Sequence, residues 1–311
     1  MELCKCGDGL SNSGLPSCLE LLSTASGIIM VPYMNSAGSV NAIDLTATLD
    51  AAYVTAKLNH VDPTYRWYPI QGIKNVEDLR GDPEFETFND NSKMRVQDGI
   101  RTFKGFKPGV VPSYVGNIND ATCDKMGIFI IGVGGELQGS DKVAGFLYPL
   151  LISANSWVAN YFKPQDKAVS KMMLEFQIDP QENDRNLSYI AQTEFNNYNL
   201  LSINGLQDAT IENLTVDSAT VVSFDVETMY GTAVTKNKVK GLVSADFVSS
   251  DSAVVAKVYN EDTAADVTVV AAEPTPGSYT LTFTAQTAGD VIRVKIKKNG
   301  FEFEETTFVA L

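Results

Sequence analysis

The stretch Pro274–Phe303, PTPGSYTLTFTAQTAGDVIRVKIKKNGFEF, decides the fold of the C-terminal third. Tyr279, Leu281 and Phe283 alternate with Thr280, Thr282 and Thr284, and Ile292, Val294 and Ile296 alternate with Val291, Arg293, Lys295 and Lys297. An apolar residue at every second position puts one face of a strand in a core and leaves the other wet. Pro274, Pro276 and Gly277 open the first strand, and Lys298-Asn299-Gly300 turns the chain after the second. Working outward, the same patterning predicts strands over Ala209–Val216, Thr220–Glu227, Ala253–Asn260 and Ala265–Ala272. Phe301–Val309 is expected to close the set. Together they predict an all-β sandwich over residues 207–311, with Ser202–Asp208 as the linker before it.

A change in composition marks that boundary. Ten of the 12 prolines, both tryptophans and every methionine except Met229 precede residue 205. Beyond it the chain is rich in Val, Thr, Ala and Asp. Charge does not mark it, because 15 acids against 8 bases from Gln207 onward give −7, half of the whole chain's −14.

Residues 1–206 are expected to form an α+β domain dominated by antiparallel sheet, preceded by a short cysteine-containing arm. One helix is predicted over Asp44–Leu58, capped by Asp44, with Leu45, Leu49, Ala52, Tyr53 and Ala56 on its buried stripe. A second is predicted near Val115–Met126. Strands are predicted over Lys93–Phe106, Gly127–Val133, Gly145–Ser153, Ser156–Phe162 and Val169–Asp179, while Asn186–Asn204 receives no assignment. No alternation of strands with helices suggests βαβ units.

The chemistry-bearing residues are sparse. With 38 acids and 24 bases in 311 residues, the chain repels phosphate backbones, which argues against nucleic-acid binding as its main task. Its longest apolar stretch, Val143–Ala154, is too short to span a bilayer, and its N-terminus lacks the apolar region of a Sec signal peptide. Cys4, Cys6 and Cys18 match no zinc spacing, so these three are expected to be free thiols, a metal site or disulfide being the alternative; Cys123 stands apart. His60 is the sole histidine, and no nucleophile motif accompanies it. The glycines of Gly132–Gly139 fit no nucleotide fingerprint and favour a hairpin or extended loop. Glu77, Asp78, Asp82, Glu84, Glu86 and Asp90 offer a carboxylate pair in principle, but flank Phe85 in the manner of a solvated edge. Arg80-Gly81-Asp82 is an integrin-type tripeptide with nothing beside it in support. Asp179–Asn186 lacks the glycine and terminal Glu of an EF-hand loop. Tyr65, Trp67 and Tyr68 are expected to pack in the core, a stacking surface being the alternative. No catalytic, cofactor-binding or metal-binding residue is assigned, and the protein is not read as an enzyme.

Two resemblances add to this reading. The G-x-Y-T strand at Gly277–Thr280 followed by Ala288-Gly289-Asp290 resembles bacterial and phage Ig-like modules, which implies an Ig-like sandwich. The run QDGIRTFKGF, then a polar helix ending in CDKMGIFII, then GFLYPLLISANSWVANYFKPQDKAVSKMMLEFQIDPQENDRNLSYI and last the Ig-like appendage is similar to virion proteins of tailed bacteriophages. It most resembles tail-tube or ring-forming tail proteins of crAss-like and other Bacteroidetes phages, over residues 90–311. That resemblance implies a homo-oligomeric ring of the tail or neck, lining the DNA conduit and carrying out no reaction. It implies neighbouring tail, neck or portal proteins as partners, passage of DNA without sequence-specific contacts, and no membrane insertion. The implied location is the virion, with the host cytoplasm during assembly. A capsid or decoration protein of the head and an Ig-like adhesin for host glycan or protein are the alternatives.

Overall fold

The computed structural model describes residues 22–97, 99–120, 125–196, 198–232, 234–249, 254–303 and 305–311. The four cysteines lie outside them. The chain is half strand, with two α-helices among the described residues, and divides into two compact units, Met1–Gly205 and Leu206–Leu311.

The first unit contains β1 (Ala25–Pro32), β2 (Ile43–Asp44), α1 (Ala51–Leu58), β3 (Tyr68–Gln71), β4 (Lys74–Arg80), β5 (Glu84–Thr87), β6 (Lys93–Gln97), β7 (Arg101–Pro108) and α2 (Pro112–Asp120). It continues through β8 (Met126–Gly132), β9 (Leu137–Ser140), β10 (Phe146–Leu147), β11 (Leu150–Leu151), β12 (Val158–Phe162), β13 (Lys171–Ile178) and β14 (Leu187–Ile190). One antiparallel sheet has the order β14-β9-β8-β1-β3, with β11 also on β8; a second has the order β12-β13-β7-β4.

The central strands β1 and β8 explain the layering. Ile28 and Met30 of β1, with Ile128 and Ile130 of β8, share a core with Phe103 of β7 and Met172, Leu174 and Phe176 of β13. The intervening Ile29, Val31, Phe129 and Ile131 enter a second core with Leu49, Val54, Leu58 and Trp67. Both faces of these strands are covered, so they read as unbroken apolar runs with no alternation. β8 is among the expected strands, and β1, an equivalent apolar run, is not.

The expected helix over Asp44–Leu58 is corrected to Ala51–Leu58. Asp44 spends its carboxylate on the Thr46 N–H and hydroxyl, closing a local turn, and Asp50 caps the helix by accepting from the Tyr53 N–H at 2.8 Å. The buried stripe is therefore Val54 and Leu58, while Leu45, Ala52 and Ala56 face solvent. The second helix is described over Pro112–Asp120, residues 121–124 of the expected span lie outside the described residues, and Met126 belongs to β8. The single strand expected over Lys93–Phe106 is two, β6 and β7, interrupted around Gly99. Gly145–Ser153 breaks into the short β10 and β11 around Pro149, which has no N–H to donate. Of the linker expected over Ser202–Asp208, Ile203 is buried in the first unit's core and Gln207 begins a strand.

The second unit is built of strands, with no α-helix among its described residues. Its strands are β15 (Gln207–Ser218), β16 (Val221–Gly231), β17 (Lys236–Lys238), β18 (Phe247–Val248), β19 (Lys257–Asn260), β20 (Ala265–Thr275), β21 (Ser278–Phe283), β22 (Val291–Ile296), β23 (Phe301–Phe303) and β24 (Thr306–Val309). They form one curled sheet of order β18-β22-β19-β20-β21-β16-β15-β23, with β17 on β16 and β24 on β22. The expected alternation is observed: Tyr279, Leu281, Phe283, Ile292, Val294 and Ile296 are all buried in the core. On the wet face Arg293 pairs with Glu261 and Glu305, and Lys295 with Glu305. The strand expected over Phe301–Val309 divides. β23 pairs in parallel with β15, whereas β24 pairs antiparallel with β22 near the other end of the strand order, so this short segment draws the curled sheet together.

Candidate functional site

The acidic stretch Val76–Asp90 and the following Lys93–Phe106 form one long ribbon. β4 pairs antiparallel with β7 up to Arg80 opposite Arg101, and β5 pairs with β6 beyond it. Between the two pairs the chains close on each other at Gly81 and Gly99. The Gly81 N–H donates to the Ile100 carbonyl at 2.9 Å, and a Cβ on Gly99 would overlap the Gly81 carbonyl oxygen. Only glycine permits that approach. At the tip, the Phe88 N–H donates to the Ser92 carbonyl, Asn91 takes a positive φ of 63°, and Asp90 accepts from the Ser92 N–H and hydroxyl.

The base of this ribbon is fastened by charge. Arg101 makes a bidentate contact with Asp78 at 2.6 and 2.5 Å. Arg80 does the same with Asp184 at 2.7 and 2.8 Å and donates to the Gly99 carbonyl at 3.0 Å. Such forked contacts fix geometry better than single ion pairs. The hydrogen bond from Arg80 holds the Asp184 carboxyl below the usual carboxylate range. Glu182, buried nearby in sequence, pairs with Lys142 at 3.2 Å.

Beyond the glycine joint the environment changes. Every residue of β5 is exposed, and the ribbon presents Phe85 (54% exposed), Phe88 (45%), Met94 (60%) and Val96 (62%) to solvent. No third strand pairs with it among the described residues. Glu84, Glu86 and Asp90 are exposed on the same segment.

The other residues weighed from the sequence are dispersed. Asp78 is committed to Arg101, while Glu84 and Glu86 stand in solvent, so the acidic segment does not converge on one point. Gly132–Gly139 is the β8–β9 hairpin, with Gly135 at φ 84°. His60 stacks on Tyr65 at 4.7 Å, and its Nδ1 lies 3.1 Å from the donating Asp62 N–H. Trp67 is buried against Tyr53 and Phe129, and the Tyr68 hydroxyl donates to the Pro63 carbonyl. In Arg80-Gly81-Asp82 the arginine is tied to Asp184. Among the described residues, no three His, Cys, Asp or Glu side chains gather as metal ligands, and no helix is long and apolar enough to cross a membrane.

The apolar ribbon is the feature that sequence reasoning missed. The signal was present in Phe85, Phe88, Met94 and Val96, four apolar residues inside an otherwise polar segment between two glycines. No protein-family model matches the chain, and no curated protein is significantly similar to it.

Proposed function

We propose that this protein is a structural component of a tailed-phage virion, forming oligomeric rings of the tail or neck that line the DNA conduit. The observation that carries this reading is the distal β5–β6 ribbon. A two-stranded ribbon is marginally stable in water, and one that presents several apolar side chains gains its order and its burial from a neighbour. Its base, clamped by Arg80, Arg101, Asp78 and Asp184, gives it a fixed direction. That combination suits a permanent subunit interface.

Two features support the rest of the reading. The order of segments from QDGIRTFKGF onward resembles phage tail proteins. A net charge of −14 per copy, multiplied around a ring, gives a lumen that repels the duplex and lets it slide. The second unit, with its G-x-Y-T strand, Ala288-Gly289-Asp290 turn and curled sheet, is proposed as an Ig-like sandwich projecting from the particle. Partners are then other copies of this chain and adjoining tail, neck or portal proteins, in the virion and, during assembly, in the host cytoplasm.

The test is direct. Mass spectrometry of purified particles should find the protein in many copies, roughly a dozen or more, related by closed rotational symmetry. Cryo-EM should place its density along the neck or tail. Density on the head shell supports the capsid or decoration alternative instead, and absence from particles refutes the reading.

A further inference from the structure

Resting on that ring reading, we infer that the β5–β6 ribbon of one copy docks on the β12 edge and the following turn, Val158–Lys171, of the next copy. The two surfaces match in apolar content and oppose in charge. The ribbon's register sets Glu86 opposite Met94 and Phe85 opposite Arg95, so Glu84, Glu86 and Met94 share one acidic face, and that face makes the contact. The segment Phe162–Lys171 carries Lys163, Lys167 and Lys171 against Asp166, a balance of +2. Val158, Phe162 and Val169 are exposed there beside Lys163 and Lys167, so each surface interleaves apolar and charged groups. Lys171 lies 4.7 Å from the Phe106 ring and 5.8 Å from Phe162, and the turn is locked by reciprocal bonds between Gln165 and Ala168.

Topology makes the contact intermolecular. β12 is the outer strand of the sheet β12-β13-β7-β4. The ribbon leaves that sheet at the Arg101 end of β7, whereas Lys171 is paired with Pro108 at the opposite end. Phe162, opposite Lys171, and the basic turn therefore lie about 24 Å from the ribbon's base at the usual rise of a strand, with Val158 nearer to it. A chain that carries complementary surfaces at opposite ends of one sheet joins head to tail, and such heterologous contacts close into rings when the rotation permits. Part of the β12 edge is already sealed within the chain. The Asn119 amide donates to the Ala159 carbonyl at 2.8 Å and accepts from its N–H at 3.0 Å. Docking therefore proceeds through side chains around Phe162 and the basic turn more than through strand addition along the whole edge.

Charge exchange tests this assignment on the full chain. Variant one carries Glu84→Lys and Glu86→Lys; variant two carries Lys163→Glu and Lys167→Glu. Native mass spectrometry and sedimentation at low salt should show each variant alone needing about tenfold or more protein to assemble, because like charges then face each other. An equimolar mixture should recover most of the wild-type assembly, since each reversed surface meets a complementary one. Unchanged tryptophan emission and far-ultraviolet circular dichroism establish that both variants fold. Variants that assemble as readily as wild type, or a mixture that stays dissociated, overturn the docking and leave the ring reading standing. Wild-type protein that remains monomeric at high concentration overturns both.

Discussion

Replacing Phe176 by alanine tests the layered core that holds the ribbon's base. Phe176 is fully buried on β13 and lies between two rings, Phe103 at 4.9 Å and 8° and Trp157 at 5.3 Å and 12°. Truncating a buried phenylalanine costs about 3–5 kcal/mol, from lost transfer energy and the cavity left behind. The two stacked neighbours place this site at the upper end, since each aromatic pair contributes ~0.5–1.5 kcal/mol beyond burial. For a unit of this size an m-value of about 3 kcal/mol/M in urea converts the loss into a midpoint lower by roughly 1–1.7 M. Both tryptophans, Trp67 and Trp157, belong to the first unit, so emission during urea titration follows that unit alone. Phe176→Leu keeps most of the volume and loses only the stacking, so its cost should be about 1–2 kcal/mol. A Phe176→Ala protein within about 1 kcal/mol of wild type would refute the packing described for this core.

Four further outcomes follow from the geometry. Tyr279→Phe removes a buried hydroxyl that donates to the Val239 carbonyl at 2.9 Å and accepts from the Leu242 N–H at 3.2 Å; it should cost about 1–3 kcal/mol, seen in circular dichroism but not in tryptophan emission. Asp225 is held at about 2 by the hydrogen bond from Lys238, with help from Ser278 and Asn213. A carboxylate depressed from 3.8 contributes stability that is complete above that value and lost as pH falls toward 2. Asp225→Asn should therefore melt below wild type at pH 6, and the gap in Tm should close as pH is lowered to 2. Asn119→Ala uncaps Ala159 on the β12 edge and should lower the urea midpoint by the equivalent of about 1–2 kcal/mol. Gly99→Ala forces the ribbon joint open against the Gly81 carbonyl, at a cost of about 1–3 kcal/mol read by the same titration. An unchanged midpoint would show that the two glycines do not meet.

What the chain's own sequence determined was local. Strands with one wet face announced themselves, because period-2 alternation is written in consecutive residues: Tyr279, Leu281 and Phe283, or Ile292, Val294 and Ile296, needed no knowledge of their neighbours. The exposed character of Glu84 and Glu86 was legible in the same way. Three things required the tertiary structure. The pairing of β1 with β8 was one: each is an apolar run covered on both faces, and nothing in either run says that the two lie side by side. The start of α1 depended on whether Asp44 or Asp50 supplied the cap, and Thr46, two residues on, captured Asp44. The apolar ribbon emerged only when Gly81 met Gly99, eighteen residues away, and divided one predicted strand into a fastened base and a solvent-facing end. Alternation reports which side of a strand is wet, but pairing is a contact between distant segments, and only the folded chain decides which of them meet.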